Sequence, residues 1–219
     1  MRRISLLVLA PLLAAGCSSP TTTSSNPQSP PAPADAGGSV SSTGPASTPA
    51  GTAEPPQAAV PAEKNPPGDI PDNLAFISYT NTAGKYRFTH PEGWAETTRA
   101  STVTFTDKLN GVQAMTGTAS TAPTVAGARQ QDVPALTRTQ AAFELRDITA
   151  VKLPAGPGVR IVYRRNSAPD PVTGRQYRDE VERYELVSGG REVIVELFGP
   201  VGADNVDAYQ TMITSLRLL

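Results

Sequence analysis

The sequence predicts an α+β domain over residues 73–219, an antiparallel sheet closed by a C-terminal helix. Three observations carry this. Short stretches of alternating apolar and polar residues recur between Gly-, Pro- and Asn-rich turns, the pattern of half-buried antiparallel strands. A single apolar stripe at helical spacing, Val206, Tyr209, Ile213 and Leu216, lies near the end of the chain. All 12 aromatic residues fall between Phe76 and Tyr209, so the material for a core is confined to that stretch.

The elements follow in order. Ile77–Thr80 and Lys85–His90 flank the turn-rich tetrad Asn81-Thr82-Ala83-Gly84 and read as a hairpin, with Tyr86 and Phe88 on one face. Pro91-Glu92-Gly93-Trp94 is expected to break the ladder, because proline has no N–H to donate. Strands are expected again at Thr102–Asp107, with Val103 and Phe105 inward, and at Val112–Ala119, joined at Asn110-Gly111. Thr124 is placed to cap a short helix that Pro134 should end. Four more strands are predicted at Phe143–Leu153, Val159–Arg165, Tyr177–Val187 and Arg191–Phe198. Their connections are Pro154–Gly158, a loop over Ser167–Gly174, and Ser188-Gly189-Gly190. In the last strand Val193, Val195 and Leu197 alternate with Ile194, Glu196 and Phe198, which suggests a central strand covered on both sides. Asp204 can cap the final helix, with Asp207 at the capping-box position three residues on.

Two segments bracket the domain and resemble a known family. Gly84-x-Tyr86-x-Phe88-x-x-Pro91-x-Gly93-Trp94 and Tyr209-x-x-x-Ile213-x-Ser215-Leu216 look like the opening and closing signatures of PsbP-like domains. The resemblance implies an α/β/α sandwich, a central antiparallel sheet with helices on both faces. It implies no shared catalytic machinery.

Ahead of the domain the composition changes. Residues 1–75 hold no aromatic residue, and 12 of the 22 prolines lie between Pro20 and Pro67. Residues 18–67 carry four charges, Asp35, Glu54, Glu63 and Lys64. Such a segment cannot bury enough apolar surface to offset its chain entropy, so residues 17–72 are expected to be a disordered linker. As a flexible coil it would span about 40 Å r.m.s..

Residues 1–16 have the form of an export signal. Met1-Arg2-Arg3 is a positive start, and Ile4–Leu13 is an apolar run too short to cross a hydrocarbon core of ~30 Å. The segment Leu13-Ala14-Ala15-Gly16-Cys17 resembles the lipobox of bacterial lipoproteins. That resemblance implies cleavage after Gly16 and lipid on Cys17, leaving 203 residues held at the extracytoplasmic face of the cell membrane. Several acyl chains would make such an anchor durable where one would not.

Composition also excludes functions. The balance of 19 Lys+Arg against 20 Asp+Glu argues against a nucleic-acid binder. One cysteine excludes an intrachain disulfide framework, and one histidine, His90, argues against a triad or a His-rich metal site. No Gly-x-Ser-x-Gly elbow accompanies His90, so a structural or surface histidine is expected, and Trp94 is expected to anchor the core. Asp170, Asp179, Asp204, Asp207, Asn166 and Asn205 offer oxygens for calcium, but no Asp-x-Asp-x-Asp-Gly loop occurs.

The most individual stretch of the domain is Asn166–Arg175. Prolines and an Asp stiffen it, and Arg164, Arg165, Arg175 and Arg178 crowd its base. Asn166, Pro169, Asp170, Pro171, Thr173 and Arg175 form the expected surface for an envelope protein or polymer, since loops on rigid scaffolds commonly bind. The plainer alternative is a long hairpin connection whose arginines pair with Asp179, Glu180, Glu182 and Glu185. The function expected is therefore a binding or scaffold module on a monomeric domain, with no catalytic, cofactor or metal residues. Carriage of a small ligand or metal ion for a membrane transporter is the alternative, and hydrolysis of an unknown substrate stands behind it.

Overall fold

The computed structural model describes residues 57–62 and 68–219; the expected signal segment, Cys17 and most of the linker lie outside the described residues. In chain order the elements are β1 (Phe76–Asn81), β2 (Tyr86–Pro91), β3 (Ala95–Arg99), β4 (Thr102–Asp107), β5 (Asn110–Thr118), α1 (Val125–Gly127), a π-helical turn (Ala128–Asp132), α2 (Val133–Thr139), β6 (Glu144–Leu153), β7 (Gly156–Asn166), β8 (Arg178–Ser188), β9 (Arg191–Pro200), α3 (Val206–Ser215) and β10 (Arg217–Leu218). Seven strands form one antiparallel sheet in the order β3-β4-β5-β9-β8-β7-β6, and β1-β2-β10 form a smaller one. The domain is α+β, as the alternation predicts.

Period-two alternation sorts the large sheet into two faces. On the first, Val193, Val195 and Leu197 of β9 stand beside Leu186 and Tyr184 of β8, and beside Ala114 and Val112 of β5. Val103 and Phe105 continue the face onto β4, both inward as expected. Tyr86 and Phe88 of the small sheet cover it together with Met212 and Ile213 of α3 and Leu216 just after it. On the second face, Val159, Ile161, Tyr163 and Val181 pack against Ala128 and Leu136 of the helical segment. Each such fully buried side chain contributes about 1.5–3 kcal/mol relative to exposure. Helical segments thus lie on both faces, and β9 is central, with β5 and β8 as neighbours.

Coverage of the second face is incomplete. Its β3–β5 half presents Thr97, Arg99, Thr102, Thr104, Thr106 and Gln113, which line a shallow groove of about 340 Å³. A register row runs from the covered half into this one: Ile161, Arg183, Glu196, Gln113, Thr104, Thr97. Within the covered half, Arg183 holds Glu185 at 2.6 Å and Glu196 at 2.8 Å, and the Tyr163 hydroxyl donates to Glu196 at 3.2 Å. Burial pushes the Glu185 carboxyl up, and Arg183 opposes it.

Several local expectations are corrected. The ladder does break at the Pro91–Trp94 tetrad, but one residue later than expected: Pro91 still pairs with Phe76 at its outer end, and the chain reverses at Glu92 and Gly93. The β4–β5 turn is Lys108-Leu109, not Asn110-Gly111; Asn110 already pairs with Asp107. Gly111 serves a close approach instead, because a Cβ there would run into the Phe198 ring. Pro134 does not end the helix but sits in the first turn of α2, where its missing N–H costs little. Thr124 does cap α1, accepting from the Gly127 N–H at 3.0 Å. The β6–β7 turn is only Pro154-Ala155, and Gly156, Pro157 and Gly158 belong to β7.

The helix α3 begins after Asn205, and neither Asp204 nor Asp207 makes the expected capping box. Val206, expected in the core stripe, is 71% exposed because it opens the helix ahead of the packed turns. Two strands, β3 and β10, were not predicted. As expected, β8 and β9 turn at Gly189-Gly190, both with positive φ (57° and 77°), the conformation glycine adopts without strain. No helix among the described residues is long and apolar enough to cross a membrane.

Candidate functional site

The β7–β8 hairpin ends in the loop that the sequence singles out. Ser167 closes it: its N–H donates to the Tyr177 carbonyl at 2.8 Å, and its hydroxyl accepts from the Tyr177 N–H at 2.9 Å. Asp170 organises the tip. Its carboxylate accepts from the Val172 N–H (3.1 Å), the Thr173 N–H (2.7 Å) and the Thr173 hydroxyl (2.8 Å). Its backbone N–H donates to the Arg175 carbonyl at 2.9 Å. These donors, the Thr173 backbone N–H foremost, hold the exposed Asp170 carboxyl below the usual range. The tip is therefore an Asx-type turn within a loop stiffened by Pro169 and Pro171. Pro169, Asp170, Pro171, Thr173 and Arg175 are exposed. The Arg175 guanidinium lies 4.8 Å from the centroid of the Tyr177 ring.

The arginines at the base are engaged. Arg164 pairs with Glu180 at 2.9 Å and Arg165 with Asp179 at 3.8 Å, the partners that the plain hairpin reading names. Arg178 pairs instead with Glu144 at 2.9 Å and donates to the Ala142 carbonyl at 2.7 Å. Glu182 and Glu185 face Arg160 and Arg183, away from the loop. Burial pushes the Asp179 carboxyl up to about 7, with Arg165 and Arg178 pulling against it.

Asn166 stands apart from the other five loop residues. It is 3% exposed, and its amide grips the chain well upstream of the domain's first strand. Its Oδ1 accepts from the Val60 N–H at 3.0 Å, and its Nδ2 donates to the Ala58 carbonyl at 2.7 Å. Arg178 donates to the same Oδ1 at 3.4 Å. Beside it the Gln57 Nε2 donates to the Gln176 Oε1 at 2.8 Å, and Gln176 in turn donates to the Ser167 carbonyl at 2.9 Å. The described chain therefore touches the domain from Gln57 onward, ahead of the expected boundary at residue 73.

A second asparagine pair does the same work nearer to β1. Asn205 accepts from the Ile70 N–H at 2.8 Å and donates to Asn110 at 2.9 Å, while Asn110 donates to the Gly68 carbonyl at 2.6 Å. Ile70 itself is buried in the core cluster of the first face. Asn110, Asn166 and Asn205, all buried, thus hold the approach to the domain by its backbone. The sequence places Asn110 in a turn and offers the other two as calcium ligands. No local signal marks them as chain clasps, because their partners lie far away in sequence.

A groove of about 800 Å³ opens between the end of α2 and the loop. Its lining is mixed, with the amides of Gln140 and Gln176 and the Arg165 guanidinium beside Ala141, Ala168 and Pro169. Arg165 donates to the Gln140 Oε1 at 3.0 Å and lies 5.2 Å from the centroid of Phe198, so the cation is held in place. The suggested calcium oxygens are not brought together: Asp170 lies at the loop tip, Asp179 on Arg165, and Asn205 on Asn110. Among the described residues there is no group of three or more His, Cys, Asp or Glu side chains placed to hold a metal ion.

His90 is buried, stacked on Phe105 with ring centroids 3.7 Å apart. Its Nδ1 lies 2.9 Å from the Pro91 carbonyl oxygen, and burial pushes its pKa down. Of the two expected roles it takes the structural one and not the surface one, and Trp94 is a core residue, as expected.

Comparison with known proteins finds no matching family model and no match among curated proteins. Among solved structures the chain is similar to cyanobacterial PsbP (CyanoP) from Synechocystis sp. PCC 6803, at 16% identity and a TM-score of 0.47 over 69% of this chain and 98% of that one. It is also similar to LpqN, described as involved in cell envelope biogenesis of Mycobacterium tuberculosis, at 13% identity and a TM-score of 0.33 over 71% and 87%. A Bacteroides thetaiotaomicron structure matches at 10% identity and a TM-score of 0.43 over 65% of this chain. The match spans about half of that protein's length, 48%. The α+β class itself rests on the strand order and helices described above.

Proposed function

We propose that the chain is a bacterial cell-envelope lipoprotein, held by lipid on Cys17 at the extracytoplasmic face of the cell membrane. Its domain acts there as a non-catalytic binding or scaffold module for an envelope protein or polymer. The observation that supports the binding role is the Asp170-ordered loop tip, exposed and rigid beside a groove of mixed polar and apolar lining. A preordered loop loses little entropy on meeting a partner, which is what makes such a surface useful. The anchor is supported by the Leu13–Cys17 segment. His90 supports the non-catalytic role, because a buried ring stacked on Phe105 cannot meet a substrate.

The test is in-cell crosslinking from Thr173, in the chain with Cys17 and with Cys17→Ala. The expected result is a discrete crosslinked partner and a membrane-bound protein that Cys17→Ala releases. An unchanged distribution of Cys17→Ala would overturn the anchor; no defined partner from the loop would overturn the binding surface. The amides and guanidinium of that groove support a second reading, carriage of a small polar ligand. A thermal shift of the full chain in a panel of sugars, amino acids and ions would favour it over a macromolecular partner.

A further inference from the structure

The loop end of the domain contains one contact that reads as a binding site in its own right. Asn166 presents a buried amide whose acceptor and donor meet an N–H and a C=O two residues apart, those of Val60 and Ala58. An extended strand offers that pair of groups on one edge, so the amide reads backbone and not side chain. The side chains of the occupying segment contribute little: Gln57, Ala58, Ala59, Pro61 and Ala62 are exposed and only Val60 is half-buried. Gln57 and Gln176 add an amide pair, Gln57 donating at 2.8 Å and Gln176 at 3.5 Å. With so little apolar surface covered, the segment stays in place chiefly because it belongs to the same chain, at high effective concentration. Should it leave, the Asn166 amide loses two of its partners, the Val60 N–H and the Ala58 carbonyl, a costly state that favours a replacement of the same kind.

We propose that Asn166 and Gln176 form a binding site for an extended peptide of small residues and proline, filled here by the chain's own Gln57–Ala62 segment. A second peptide with the same backbone pattern enters in trans when that segment lifts. Its source is the same segment of a neighbouring copy, which offers the groups seen here in cis: an N–H following a C=O two residues earlier, with no side-chain bulk between them.

This deepens the reading of the domain as a binding module, and its test is separate from that of the anchor. The probe is a labelled peptide with the sequence of residues 55–63, titrated by fluorescence anisotropy into the full chain. Val60→Pro removes the N–H that Asn166 accepts and so vacates the site in cis. The expected result is binding to Val60→Pro at least tenfold tighter than to the parent chain, and loss of that gain in Val60→Pro/Asn166→Ala. Equal affinity for all three chains, or none for any, overturns the proposal.

A measurement on the unsubstituted chain guards against misfolding of the Asn166 variant. The Val60 amide should exchange with solvent at least tenfold slower than in the free peptide, and excess unlabelled peptide should remove that protection. Exchange at the free-peptide rate overturns the site. Size-exclusion chromatography with light scattering tests the source. Concentration-dependent dimers of the parent chain, abolished by Val60→Pro, identify a neighbouring copy as the donor, and a monomer that still binds peptide overturns that source.

Discussion

At the scale of single residues, the structure assigns jobs that composition does not reveal. Asp179 is buried beside Arg165, and its carboxyl is pushed up to about 7 from a usual value of 3.8. The sign follows directly. A folded value above the unfolded one means that the folded state binds more protons between about pH 4 and 7. Asp179 therefore contributes stability that is present in acid and lost as pH rises through that window. Asp179→Asn should flatten this component, whose slope is at most about 1.4 kcal/mol per pH unit. Urea unfolding of parent and variant at pH 4.5 and 7.5 checks it; an unchanged difference between the two pH values overturns the assignment. Gly111 is a second case. Gly111→Ala should cost about 1–3 kcal/mol because the new methyl meets the Phe198 ring. Phe198→Ala in the same chain should remove most of the added penalty, an interaction that a double-mutant cycle measures.

At the scale of elements, what the sequence revealed depends on what each element buries. The strands of the core alternate because one or both faces are covered, and Val103, Phe105, Val193, Val195 and Leu197 declare their faces without help. Ala95–Arg99 has no such pattern, since all five residues are exposed and nothing selects apolar side chains there. Arg217–Leu218 is specified only by its pairing with Arg87 and Tyr86, a contact that no local window contains. The same limit hid the asparagine clasps. They recognise backbone groups of residues 42 to 135 positions away, and backbone leaves no side-chain signature. Caps are local and fared better at one end of the fold: Thr124 does hold the Gly127 N–H. Thr124→Ala should cost about 1 kcal/mol of stability, seen as a lower unfolding midpoint with an unchanged denaturant slope. Asp204 was misread because the neighbouring Asn205 takes the position before α3 and spends its amide on Ile70 and Asn110.

At the scale of the whole domain, two core clusters lie on opposite faces of one sheet and share the strands β8 and β9. Shared strands predict one cooperative unit. Ile161→Ala, on the helical side, should cost about 2–5 kcal/mol. Trp94 reports from the other cluster, so its fluorescence should shift its midpoint by the same amount as far-ultraviolet circular dichroism. Separate midpoints would show that the clusters melt independently. Among the described residues the large sheet ends at β3 and β6, and both are studded with charge: Glu96 and Arg99 on one, Glu144, Arg146, Asp147 and Lys152 on the other. The second is also interrupted by a register shift between Leu145 and Asp147. Charged and irregular margins deter strand addition by another copy. For molecules gathered on one bilayer, as proposed, neighbours collide constantly in two dimensions. Those margins would then keep a crowded layer of these domains from knitting into fibres.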